Sequence, residues 1–248
     1  MARRPLNILC FGDSLTSGYY CYGAGEHPYS IRLEDRLCAA MRGTKVQVFT
    51  NGDPGALVSD RWFKTRLQVE LEKRQYDWVI ILGGTNDIAS MISADETFEA
   101  LQELWEIALA KGSKVLALSV PECAAQIGWL NAARDDLNQH ILTYKAPNVH
   151  TFDLKARIPY HALTEDEQSD RWDDGLHLTP EGYNWMGNHI ADALLPLLQQ
   201  DGQPARARSH TTRKSTVSPD DHLVFDEESE NSKDISQGYV VIRKRDLH

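Results

Sequence analysis

Leu6-Asn7-Ile8-Leu9-Cys10-Phe11-Gly12-Asp13-Ser14-Leu15-Thr16-Ser17-Gly18 is the stretch from which the rest of the chain can be read. Leu6–Phe11 is a short, mostly apolar run that stops at Gly12 and gives way to a Ser/Thr-rich turn, which predicts a buried strand feeding a loop and then a helix. The same pattern recurs downstream. Strands are predicted at Val46–Thr50, Trp78–Leu82, Lys114–Val120 and Val149–Phe152. Helices are predicted at Tyr29–Met41, Val58–Arg74, Ala94–Lys111, Gln126–Tyr144 and Thr179–Gln199. In the third of these, Phe98, Leu101, Leu104, Trp105 and Leu109 share one face, and Gly112 stops the helix.

Short apolar strands alternating with longer amphipathic helices predict a parallel α/β sheet. Repeated through the chain, this predicts a three-layer α/β/α sandwich with a five-stranded parallel sheet in the flavodoxin-like order 2-1-3-4-5. In that order the ligand crevice opens at the carboxyl ends, beside the first strand.

Composition narrows the function. The chain has 248 residues, with 26 Lys plus Arg against 36 Asp plus Glu and a net charge of −10, which speaks against a general affinity for nucleic-acid phosphates. No apolar run approaches the roughly 20 residues needed to cross a bilayer, so no integral membrane association is expected. The apolar run after Arg3 and Arg4 is too short for a secretory signal. Cys10, Cys21, Cys38 and Cys123 form no CxxC pair and are too sparse for a disulfide framework, so reduced thiols and a cytoplasmic location are expected. Residues 1–200 read as the folded domain. The final segment, 201–248, holds nine Ser or Thr and 17 charged residues against 12 apolar ones, which predicts a disordered tail, with Tyr239–Ile242 able to dock as a short strand.

Chemistry-bearing residues gather at the predicted strand ends. Ser14, just past the first strand, reads either as a nucleophile or as part of a turn that grips phosphate, besides the plain role of linking strand to helix. The second strand ends in Asn51-Gly52-Asp53-Pro54-Gly55-Ala56, whose glycines permit either a tight turn or close backbone approach to a ligand. The third ends in Gly83-Gly84-Thr85-Asn86-Asp87, where the Asn86 amide offers donors to a developing oxyanion or closes an Asx turn. In Asp173-Asp174-Gly175-Leu176-His177-Leu178-Thr179-Pro180, Thr179 and Pro180 begin the last helix. His177 then sits in the loop ahead of it, with Asp174 three residues earlier able to reach its Nδ1. A base oriented by a carboxylate is what a serine nucleophile requires. His140, His150 and His189 fall within predicted elements, and His27 and His161 have no acid three residues before them. No cluster has metal-ligand spacing, so no metal or cofactor is expected.

Taken in order, these four blocks resemble the SGNH hydrolases, or GDSL esterases and lipases, over residues 6–200. The resemblance implies Ser14 as nucleophile, His177 as base and Asp174 as its acid. It also implies an oxyanion hole from the backbone N–H groups of Ser14 and a glycine together with the Asn86 amide. That glycine is Gly52 or Gly55, and Gly55 is preferred because it lies deeper in the loop. The implied activity is metal-independent hydrolysis of a small-molecule carboxylic ester through an acyl-enzyme. An acyltransferase using the same triad and a non-catalytic phosphate- or flavin-binding module are the alternatives. Tyr19–Tyr22, Cys123–Trp129 and Ile158–Trp172 are expected to line the pocket.

Overall fold

The computed structural model describes residues 4–202; the predicted tail beyond Gly202, including Tyr239–Ile242, lies outside the described residues. Strand β1 (Leu6–Gly12) leads into a single helical turn, α1 (Ser14–Ser17), and an antiparallel hairpin of β2 (Tyr19–Tyr20) and β3 (Gly25–Glu26). Next come α2 (Tyr29–Ala40), β4 (Val46–Gly52), α3 (Arg61–Lys73), β5 (Trp78–Leu82), α4 (Thr85–Ala89) and α5 (Ala94–Ala110). The second half contains β6 (Lys114–Leu118), α6 (Gly128–Thr143), β7 (Val149–Phe152), α7 (Leu154–Arg157), α8 (Glu165–Arg171) and α9 (Pro180–Gly202).

The main sheet has five strands in the order β4-β1-β5-β6-β7, all parallel. With the small hairpin set aside, this is the predicted order 2-1-3-4-5. Alternation along each strand creates a core on either side of the sheet. Ile8 and Cys10 of β1 join Trp78, Ile80, Leu116 and Leu118 against Leu33 of α2 and Tyr183, Met186 and Ile190 of α9. Leu9 and Phe11 instead join Val79, Ile81 and Val115 against Phe63 of α3, Trp105 of α5 and Leu137 of α6. Each fully buried Leu, Ile or Phe contributes about 1.5–3 kcal/mol, so both helical layers are held by the same central strands.

Helix α5 shows how the pattern becomes structure. Ser93 caps it by accepting from Glu96 N–H at 3.2 Å, with Asp95 and Glu96 in the first turn, where the helix dipole favours acids. Leu101, Leu104 and Trp105 are buried along its inner face. Gly112 adopts φ +83° just beyond the end. Helix α9 begins as expected, but it continues past the predicted end at Gln199 and carries Pro196 inside.

The predicted elements omit α1, α4, α7, α8 and the hairpin. All are seven residues or shorter, too short to express a helical or strand period. Ile158 and Trp172, expected at the ends of a pocket-lining segment, are instead buried in the core beside α9. Among the described residues no helix is long and apolar enough to cross a membrane.

Candidate active site

Parallel register brings the ends of β1, β4 and β5 level, with Gly12 opposite Gly52 on one side and Leu82 on the other. Gly12 cannot carry a side chain, because a Cβ there would lie 2.3 Å from both Leu82 O and Thr16 Oγ1. Asp13 then caps α1 by accepting from Leu15 N–H at 3.0 Å. Gly18 ends the turn in the left-handed region at φ +77°. This tight strand-to-turn passage places Ser14 at the crevice, nearly buried at 7% exposure.

His177 reaches Ser14 from a loop 163 residues away in sequence, with Nε2 2.9 Å from Ser14 Oγ. Its Nδ1 lies 2.8 Å from Asp174 Oδ2. The other Asp174 oxygen accepts from the backbone N–H groups of Leu176 at 2.9 Å and His177 at 2.7 Å, so the acid is clamped to the loop it orients. Partial burial pushes the Asp174 carboxyl up, but the hydrogen bonds from His177 and the two backbone groups outweigh it and hold the acid below the ordinary carboxylate range. Thr179 caps α9 by accepting from Gly182 N–H at 3.0 Å, and its hydroxyl donates to Asp170 O at 2.6 Å.

The histidine loop has two supports beyond the predicted triad, and one of them, Tyr19, comes from a segment expected to line the pocket. The Tyr19 ring rests on the His177 imidazole with centroids 4.6 Å apart, and Tyr183 OH donates to Tyr19 O at 2.8 Å. Asp173 Oδ2 accepts from Cys21 N–H at 2.7 Å. The Tyr19–Glu26 hairpin is therefore a brace for the imidazole, and Cys21 and Tyr22 at its tip take left-handed φ values of +52° and +53°. Only the Tyr-rich composition of the segment hinted at this role.

Asn86 lies in the first turn of α4 and does not close an Asx turn; its Nδ2 donates to Ala56 O at 3.0 Å, across 30 residues. One N–H of the amide is thereby used to orient the other. The next residue, Asp87, is fully buried, and its carboxylate accepts from Val58 N–H and Ser59 N–H at 3.0 Å each and from Ser59 Oγ at 2.7 Å. Asp87 thus fastens the β4–α3 loop to α4. Arg66 stabilises the same region from below, donating to Asn51 O at 2.9 Å and Gly12 O at 2.7 Å while stacking over Phe11 at 4.2 Å.

The two candidate glycines separate by environment. A Cβ on Gly52 would meet Ser17 N at 2.2 Å and Asp13 O at 2.6 Å, so Gly52 lets α1 approach β4. Gly55 has φ +80°, is exposed, and has no atom within 4 Å of where a Cβ would sit. It lies next to Ala56, whose carbonyl Asn86 holds. Among the described residues no group of three His, Cys, Asp or Glu side chains could hold a metal ion.

Asp13 differs from Asp174 in its burial. It has no solvent exposure, and Oδ2 lacks a hydrogen-bond partner. Burial pushes its carboxyl up to about 7, with the Leu15 N–H bond opposing and the nearby Asp87 adding to the rise. A carboxyl raised in the folded state binds a proton that the unfolded chain releases, so its stabilising contribution is complete below pH 4 and is lost as pH climbs through 7. Asp13→Asn, which keeps the shape without the charge, is accordingly expected to raise stability by about 1 kcal/mol or more at pH 8 and to have a smaller effect at pH 5. Thermal or urea unfolding of both proteins at the two pH values checks this, and an equal effect at both would show that Asp13 does not titrate in this range.

Known proteins share this fold. Among curated protein sequences none matches the chain significantly. Solved structures of similar fold include a lipase/acylhydrolase from Enterococcus faecalis, at 23% identity and TM-score 0.61 over 77% of this chain and 96% of that one. A carbohydrate esterase of family 3 from Talaromyces cellulolyticus, at 15% identity and TM-score 0.61, covers 79% of this chain and 99% of its own. An acetyl xylan esterase shares 19% identity at TM-score 0.60 over 76% of this chain and 100% of its own. The model of the GDSL-like lipase/acylhydrolase family matches residues 10–185, from the middle of β1 into α9 and through every residue of the Ser14–His177–Asp174 chain, and the protein belongs to that family.

Proposed function

We propose that the protein is a serine esterase that cleaves a carboxylic ester through an acyl-enzyme. The observation that carries the reading is the continuous chain from Ser14 Oγ to His177 Nε2 at 2.9 Å and from His177 Nδ1 to Asp174 Oδ2 at 2.8 Å. Ser14 Oγ attacks the ester carbonyl while His177 Nε2 takes its proton. Asp174 accepts from Nδ1–H, selects the tautomer with a free Nε2 lone pair, and stabilises the imidazolium as it forms. Negative charge develops on the former carbonyl oxygen, where the backbone N–H groups of Ser14 and Gly55 and the Asn86 amide serve as donors. His177 then returns the proton to the departing alcohol. Water, activated by the same imidazole, attacks the acyl carbonyl and frees Ser14. An alcohol in place of water would make the same centre an acyltransferase.

A phosphate-gripping turn at Gly12–Gly18 would give Asp174 and His177 no task, whereas ester hydrolysis employs both. The test is covalent. A fluorophosphonate is expected to label Ser14 alone, abolishing hydrolysis of 4-nitrophenyl acetate, and turnover is expected to persist in excess EDTA. Labelling at another residue, or loss of activity to the chelator, would refute the mechanism.

A further inference from the structure

We propose that the cavity between the edge strand β7 and helix α9 is a second binding site, separate from the catalytic crevice, for a small organic phosphate with an apolar body. The cavity has a volume of about 590 Å³, within the range that holds a small organic molecule. It shares no lining residue with the Ser14–His177–Asp174 chain and does not include Asn86. Strand β7 is the last in the order β4-β1-β5-β6-β7, so no further strand covers this side of the sheet, and α7 and α9 supply residues to the other walls.

Charge selects the ligand. The chain as a whole carries −10, yet Lys145, Arg157, His150 and His189 line this cavity against a single acid, Asp192. That acid is already engaged, with Asp192 Oδ1 2.6 Å from an Arg36 guanidinium nitrogen. Among the described residues neither Lys145 nor Arg157 takes part in an ion pair. The two histidines sit in the same positive surroundings. Burial first and Lys114 second hold the His150 imidazole below its ordinary range, opposed by Asp201, which itself pairs with Lys114. Burial lowers His189 as well, with Asp192 opposing and Arg157 and Arg171 adding to the fall.

Two permanent cations without acids call for two negative charges in one small group. A phosphate monoester supplies about −1.5 to −2 near pH 7 and three acceptor oxygens, whereas a carboxylate supplies a single charge. Leu116, Phe152 and Leu197 line the same cavity and give the rest of such a molecule an apolar surface to cover.

The experiment titrates the full-length protein with phenyl phosphate by calorimetry. Binding should saturate and be at least about tenfold tighter than that of benzoate, which lacks the second charge, or of inorganic phosphate, which lacks the apolar body. Arg157→Gln and Lys145→Gln should each weaken it by roughly tenfold or more. Both side chains belong to exposed residues, so neither substitution disturbs the core. Lys73→Gln, on α3 across the sheet, should bind as the wild type does, and so should Ser14→Ala. Affinity should rise as the pH falls from 8 to about 6.5, because each histidine that takes up a proton adds a charge. Reciprocally, the imidazole NMR signals of His150 and His189 should titrate at higher pH when phenyl phosphate is bound. Absence of saturable binding, an affinity indifferent to both Arg157→Gln and Lys145→Gln, or an equal loss in Lys73→Gln would overturn the site. Loss of binding in Ser14→Ala would overturn it too, by moving the anion to the catalytic crevice. Benzoate or inorganic phosphate bound as tightly as phenyl phosphate would overturn the assignment of ligand class.

Discussion

Ser14→Ala is expected to lower ester turnover by at least about a thousandfold, because the members of a nucleophile–base–acid unit act together and the remaining two have nothing to activate. Stability should change little. Among the described residues the one side-chain hydrogen bond of Ser14 Oγ is with His177 Nε2, and the backbone around it is set by Gly12, the Asp13 cap and the left-handed Gly18. Removing one oxygen from a nearly buried crevice position leaves those constraints in place. The measurement pairs kcat for a 4-nitrophenyl ester with the thermal midpoint of each protein. Activity above about one per cent of wild type, in a folded variant free of contaminating esterase, would require another nucleophile.

Asn86→Ala should reduce kcat by roughly 10² to 10³ and leave KM nearly unchanged, since its donor meets charge that exists only in the transition state. The substitution also removes the bond to Ala56 O, which would loosen the loop if nothing else held it. Asp87 answers it: three hydrogen bonds from its carboxylate to Val58 and Ser59 keep the β4–α3 loop against α4 without Asn86. A KM effect as large as the kcat effect would show that Asn86 holds the ground state or shapes the loop. The complementary variant, Asp87→Ala, should lower both activity and stability, because it leaves three donors of that loop unpaired.

Local sequence determined the architecture because strand and helix periods are local properties. Trp78–Leu82 is an unbroken apolar run of strand length and read as a buried strand, as the central β5 is. Thr179 and Pro180 announce the start of α9 by their own capping chemistry. Asp174 and His177, three residues apart, were legible as a pair because a single loop turn joins them. Tertiary structure alone decided the rest. Whether Ser14 meets His177 depends on a contact spanning 163 residues and on the level ends of parallel strands. The hairpin that braces His177, the Cys21–Asp173 bond across 152 residues and the Asp87 clamp on Val58 and Ser59 leave no periodic trace. The two glycines of the second loop looked alike in sequence, because glycine is demanded equally by a close neighbour and by a left-handed turn. Their difference emerged once α1 was seen pressed against Gly52 while Gly55 stood open, since what crowds a missing Cβ is set by distant chain brought near by folding.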